Sequence, residues 1–197
     1  MLHNFKASLI HEREQTAVAD TFYRNVLKVS EIKRFNSDSE IDMEMQRQDV
    51  DVMLTLNENT YRVSEKFRDK DYGDLYVEVY SKYPKTLGWL HTGTPNAILY
   101  FTPETVFWIT HKSLSSFCLN FLCPSIPVSW FHDIFLSGKS IVSTEIYLND
   151  KSVKINLIQA HNSMQDGSEW ETIGISAPFS VFEENGVKIL RIPFSKS

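Results

Sequence analysis

Two short stretches of this chain carry residue types that could act on a phosphodiester. In Gln46-Arg47-Gln48-Asp49-Val50-Asp51-Val52-Met53-Leu54, acids lead from a polar step into an apolar strand pattern, and Arg62-Val63-Ser64-Glu65-Lys66 follows shortly after. Carboxylates on one strand and a lysine on the next are what divalent-ion phosphate chemistry needs. The acids hold the cation, and the ammonium orients water or steadies the charge that develops on phosphate.

Strand periodicity supplies the means of bringing them together. Val50, Val52, Leu54 and Leu56 alternate with Asp49, Asp51, Met53 and Thr55, which predicts a strand with one apolar and one mixed polar face. Asn57-Glu58-Asn59 makes a turn, and Thr60–Phe67 returns as the second arm of a hairpin. On that arm Tyr61, Val63, Glu65 and Phe67 share one face, and Arg62, Ser64, Lys66 and Arg68 the other. With both apolar faces on one core, Asp51 and Lys66 converge on the opposite side, and Glu65 goes with the apolar face.

Ahead of the hairpin, residues 8–27 read as a helix with Val18, Phe22 and Val26 one turn apart, widened by Ala17, Ala19 and Tyr23. Glu14 continues that stripe, either at a solvated helix end or directed into a polar cleft. Glu31–Phe35 reads as a short strand or turn, and Leu75–Tyr80 as a strand or a helix start. Residues 82–93 read as loop, 97–101 and 106–109 as strands, and 112–122 as helix. Strands at 140–148 and 153–157 follow. A last hairpin over 179–192 is expected to turn at Glu184-Asn185-Gly186.

Bulk properties narrow the function classes. The 197 residues, 42% hydrophobic and 23% charged, suit one ordinary globular domain. A formal net charge of -5 argues against gripping nucleic acid by bulk electrostatics, so any such contact is local. Neither a secretory leader nor an apolar run of about 20 residues is present, which predicts a soluble cytoplasmic protein without membrane contact. No two of the six histidines fall at helical ligand spacing, and Cys118 and Cys123 lie in an apolar setting expected to bury free thiols. There is no Gly-x-Ser-x-Gly elbow, phosphate loop or dinucleotide fingerprint.

The ordered run Gln46–Val52, Val63-Ser64-Glu65-Lys66-Phe67-Arg68, Asp71-Tyr72-Gly73-Asp74-Leu75-Tyr76-Val77-Glu78, Gly88-Trp89 and Ile98-Leu99-Tyr100 is similar, over roughly Gln46 to Trp108, to a phage- and prophage-associated branch of the PD-(D/E)xK nuclease-like superfamily. The resemblance implies an α/β, restriction-endonuclease-like fold, a mixed central sheet flanked by helices, here with a β-rich C-terminal extension. It also implies a magnesium- or manganese-dependent hydrolase of DNA in a phage-infected host cell. Asp51 matches the hairpin acid and Lys66 the motif lysine. Gln46 matches a polar residue often preceding that acid, and Glu78 an acid after the Asp-Tyr-Gly-Asp turn. Glu14 would supply the metal ligand that often comes from the first helix.

Ser64 is the departure, since the branch carries an acid two residues before the lysine and a hydroxyl is a poor ligand for Mg2+. Three outcomes follow. The acid has moved, with Glu78, Asp49 or Glu14 completing the site; a bulge turns Glu65 inward to join Asp51 and Lys66; or the site is dead. In the last case the chain is a non-catalytic nuclease-fold module that binds nucleic acid or a protein partner. Without the resemblance, Asp51 and Lys66 could form an ordinary cross-strand ion pair. Tyr72, Tyr80 or Trp89 could stack on a base near the cleft.

Overall fold

A computed structural model describes residues 5–164 and 167–194. A helix, α1 (Phe5–Phe22), runs on as a π-helical turn (Tyr23–Leu27) and is followed by β1 (Glu31–Arg34), α2 (Glu40–Arg47), β2 (Val52–Leu56) and β3 (Asn59–Phe67). Next come β4 (Asp74–Lys82), β5 (Thr86–Leu87), α3 (Trp89–Thr92), β6 (Ala97–Phe101), β7 (Thr105–Thr110), α4 (His111–Phe117) and α5 (Val128–Ser137). The chain ends with β8 (Ile141–Leu148), β9 (Lys151–Ser163), β10 (Glu169–Pro178), α6 (Phe179–Glu184) and β11 (Ile189–Pro193).

The strands make two sheets. The first is mixed, in the order β1-β2-β3-β6-β7-β11, and the second runs β5-β4-β10-β9-β8. In the first sheet only the β3–β6 pair is parallel, so the chain must cross over between them; β4, β5 and α3 form that crossover. Every residue of β6 is buried. Its unbroken apolar run, Ala97–Phe101, is what a strand covered on both faces requires.

One face of the first sheet packs on α1 through Ala19, Phe22 and Tyr23 against Val52, Leu54, Val63, Leu99 and Phe101. Ile98, Tyr100, Phe107 and Ile109 instead join a larger core with Leu75, Val77, Ile173 and Ile175 of the second sheet. Leu114 and Phe117 of α4, Phe131 and Ile134 of α5, and Phe179 and Phe182 of α6 complete that core. Phe107 and Phe179 stack at 4.1 Å between centroids. No single described helix is long and apolar enough to cross a membrane; the pair His111–Ser125 and Val128–Ser137 meets the test only together, bent by 77°.

Local chemistry explains where the expected elements hold and where they change. Asn57 and Glu58 both take positive φ, the two-residue turn whose twist suits a hairpin, and Leu56 pairs with Asn59 directly beyond it. Residues 75–80 are strand, with Leu75, Val77 and Val79 buried. The α1 stripe breaks at Val26, which is 39% exposed, because the helix widens to π geometry from Tyr23 and rotates that residue out. Several elements fall outside the periodicity-based reading: α2, capped by Ser39 accepting from the Asp42 N–H, β5 and α3 within the stretch expected to be loop, α5, and the long strand β10.

The expected hairpin over 179–192 is corrected. Residues 179–184 form α6, whose Phe179 and Phe182 are buried one turn apart, and Gly186 at φ 83° ends the helix rather than turning a hairpin. β11 then pairs with β7, not with residues 179–184. Nor are the C-terminal strands an appendage, because β10 lies beside β4 and β11 is the outer strand of the first sheet. Cys118 is buried and Cys123 half-buried, both as free thiols.

Phe101 sits 2% exposed between Phe22, edge-on at 5.6 Å, and Phe67, stacked at 4.8 Å. Phe101→Ala is expected to cost about 3–5 kcal/mol of stability, read from the urea midpoint at unchanged slope.

Candidate functional site

β3 sends its polar side chains to opposite faces of the first sheet. Ser64 and Lys66 lie on one face and Glu65 on the other, and the pairing with β2 and β6 runs without a register shift. No bulge turns Glu65 toward Lys66. Glu65 is instead held on the α1 side by Arg34, whose Nη1 donates to Oε2 at 2.8 Å and whose Nη2 donates to Oε1 at 3.1 Å. The Tyr23 hydroxyl also donates to Glu65 Oε1, and Arg34 reaches Asp20 of α1 at 2.7 Å. This set ties α1, β1 and β3 together on the face opposite Lys66.

On the opposite face the acid beside Lys66 is Asp49. Its Oδ1 accepts from Lys66 Nζ at 2.7 Å and its Oδ2 from the Ser64 hydroxyl at 2.7 Å. Asp49 thus brings a carboxylate against the side chain of residue 64, where the sequence itself provides only a hydroxyl. Backbone conformation makes this possible: α2 ends at Arg47, and Asp49 turns the chain in the left-handed region at φ 55°, which Asp tolerates better than most residues. Glycine clears the way, since a Cβ on Gly93 would stand 3.2 Å from the Asp49 Cβ and 2.7 Å from the Trp89 carbonyl.

Asp51 lies one residue before β2. Its Oδ2 accepts the backbone N–H of Glu65 at 2.7 Å, extending the ladder with a side chain. Burial pushes its pKa up to about 6, and Asp49 and Glu65 add to the rise, while Lys66 and the Glu65 N–H oppose it. Glu78 of β4 accepts the Trp89 N–H at 3.3 Å. Its pKa is also raised by burial and by Asp49, against the pull of the Trp89 N–H and Lys66. Gly88 permits that approach, because a Cβ there would come within 2.6 Å of the Glu78 carbonyl oxygen. The Lys66 ammonium lies 5.4 Å from the centre of the Trp89 ring, so Gly88-Trp89 supports both Glu78 and Lys66.

The structure therefore gathers Asp49, Asp51, Ser64, Lys66 and Glu78 into one electrostatic neighbourhood. It leaves Glu14 exposed on α1, bonded to none of them among the described residues. Lys66 pairs with Asp49 and not with Asp51. No three or more His, Cys, Asp or Glu side chains among the described residues close on a common point as metal ligands. Periodicity did not single out His111, which is 7% exposed at the start of α4 with its Nε2 unpartnered; burial lowers its pKa and Asp49 opposes the shift. A lone histidine between a strand and a helix pattern carries no spacing signal that could have marked it.

No protein-family model, curated protein or solved structure matches the chain.

Asp51 gives a pH prediction. Its folded pKa of about 6 lies above the ordinary 3.8, so its contribution to stability is fully present below pH 3.8 and lost as pH rises through 6. Asp51→Asn, which keeps an acceptor for the Glu65 N–H, is expected to stabilise the protein at neutral pH by roughly 1–3 kcal/mol. The gain should shrink toward zero near pH 4 in urea unfolding curves taken across that range.

Proposed function

We propose that the chain is a metal-dependent nuclease of the PD-(D/E)xK type, hydrolysing DNA phosphodiesters, in which Asp49 has taken over the place of the acid missing at position 64. The observation that carries this reading is the Asp49 carboxylate held at 2.7 Å from both Ser64 Oγ and Lys66 Nζ. The order α1, then a β1-β2-β3 meander, then a parallel strand β6 beside β3 supports a restriction-endonuclease-like assignment of the first sheet.

The donor set fits Mg2+ or Mn2+ in chemistry. Asp49, Asp51 and Glu78 offer hard anionic oxygens, and Lys66 interacts electrostatically with all three. Burial is the main cause of the raised pKa values of Asp51 and Glu78, and the nearby Asp49 carboxylate adds to both. Asp49, Asp51 and Glu78 do not converge on one point as they stand, so holding an ion would require their side chains to close on it; a bound ion would supply Lewis acidity and a water acidified for attack. Lys66, fixed by Asp49 and the Trp89 ring, is placed to donate to a phosphate oxygen as charge builds there. Since the chain is acidic overall, DNA must be held by such local contacts and not by a basic surface.

One observation favours the second reading, a non-catalytic nuclease-fold module binding nucleic acid or a protein. Both Asp49 oxygens are already taken by Ser64 and Lys66, which leaves that carboxylate satisfied without a metal.

A rescue experiment separates the two. Mg2+- or Mn2+-dependent cleavage of single- and double-stranded DNA is expected in the wild type and should fall at least about 100-fold in Asp49→Asn, Asp51→Ala and Lys66→Ala. The swap Asp49→Ser with Ser64→Asp restores the acid two residues before Lys66 and should recover much of the loss. Unchanged cleavage in Asp49→Asn would remove Asp49 from the site. A wild type that neither binds these ions by calorimetry nor cleaves DNA would leave the non-catalytic module.

A further inference from the structure

Resting on the nuclease-fold reading above, we infer that the cleft on the α1 side of Asp51 receives one unstacked nucleobase of the strand being cut. The cleft has a volume of about 490 Å3, inside the range of roughly 300–1,000 Å3 for sites that enclose a small ligand. Asp51 forms part of its wall and also interacts electrostatically with Lys66, so this one side chain links the cleft to the carboxylate cluster.

The lining selects the kind of ligand. Arg34 and Glu65 also border the cleft, but they are spent on each other and on Asp20 and Tyr23. Among the described residues a phosphate finds no spare cation there, and Asp51 and Glu65 repel it. Beyond that closed set the wall presents the amides of Asn36 and Gln46, with Phe35 and Phe67 as its aromatic part. Gln46 donates its Nε2 to the Phe35 carbonyl at 2.8 Å, which orients the amide and leaves Oε1 as an acceptor.

A flat, neutral ligand with donors and acceptors along its edge matches amides backed by aromatic carbon. Asn and Gln pair with base edges in this way, and aromatic side chains pack against base faces. A stacked base pair cannot enter such a cleft, so the base must first leave its stack, which is least costly in a single strand or at an unpaired position. The inferred substrate class is therefore single-stranded or locally unpaired nucleic acid.

The test uses a short single-stranded oligonucleotide carrying one fluorescent adenine analogue, its fully paired duplex, and full-length protein in a chelator to prevent turnover. Wild type, Asn36→Leu and Gln46→Leu are compared after circular dichroism confirms that each is folded. The expected result is tighter binding of the single strand than of the duplex, weakened roughly five- to tenfold by each substitution. Asn36 is exposed, so its variant stands if Gln46→Leu does not fold. Single-strand binding that neither variant weakens, or binding that favours duplex, overturns the base cleft and leaves the nuclease reading intact. Failure of both nucleic acids to bind, with no cleavage in Mg2+, overturns both.

Discussion

β3 lies inside a six-stranded sheet with Val63 and Ser64 buried and Glu65, Lys66 and Phe67 half-buried, and that constraint governs much else in this protein. A polar side chain on a covered strand must find a partner or lose its solvation without compensation. Glu65 is met by Arg34 and Tyr23 on one face, and Ser64 and Lys66 are met by Asp49 on the other. These pairings in turn fix the neighbours: α1 is anchored through Asp20 and Tyr23, and the turn after α2 is fixed through Asp49. The crossover is anchored where Trp89 supports Lys66 and Glu78.

Elements with a strong period were legible in the sequence. The β2–β3 hairpin, the buried run of β6, the alternation of β4 and the division of β3 into a Glu65 face and a Lys66 face all follow from the spacing of apolar residues. Elements set by partners were not. Asp49 and Asp51 share a face in any alternating count, yet only the left-handed turn at Asp49 carries its carboxylate onto Ser64, and that turn depends on Gly93 and on the end of α2. Asn185-Gly186 misleads for a related reason: the same pair suits a hairpin or a helix end, and the burial of Phe179 and Phe182 decides between them. β10 went unnoticed because its second half is almost wholly buried, which erases the alternation that marks a one-sided strand.

The carboxylate cluster is held at a cost to the fold. Asp51 and Glu78 are both more easily protonated than free side chains, so at neutral pH the folded protein carries negative charge that burial disfavours. Structural economy alone would have favoured amides at these positions.

Both sheets are closed by segments distant in the chain. Ser176 of β10 bonds to Asp74 of β4 across 102 residues, and β11 pairs with β7 some eighty residues upstream. Neither sheet can be completed until β10 and β11 have been made. Until β10 and β11 have left the ribosome, β4 lacks its β10 neighbour and β7 its β11 neighbour, leaving unpaired strand edges on a growing chain. Synthesis of this protein thus includes an interval, ended by the arrival of β10 and β11, in which the chain is most open to strand pairing with other molecules or to capture by a chaperone.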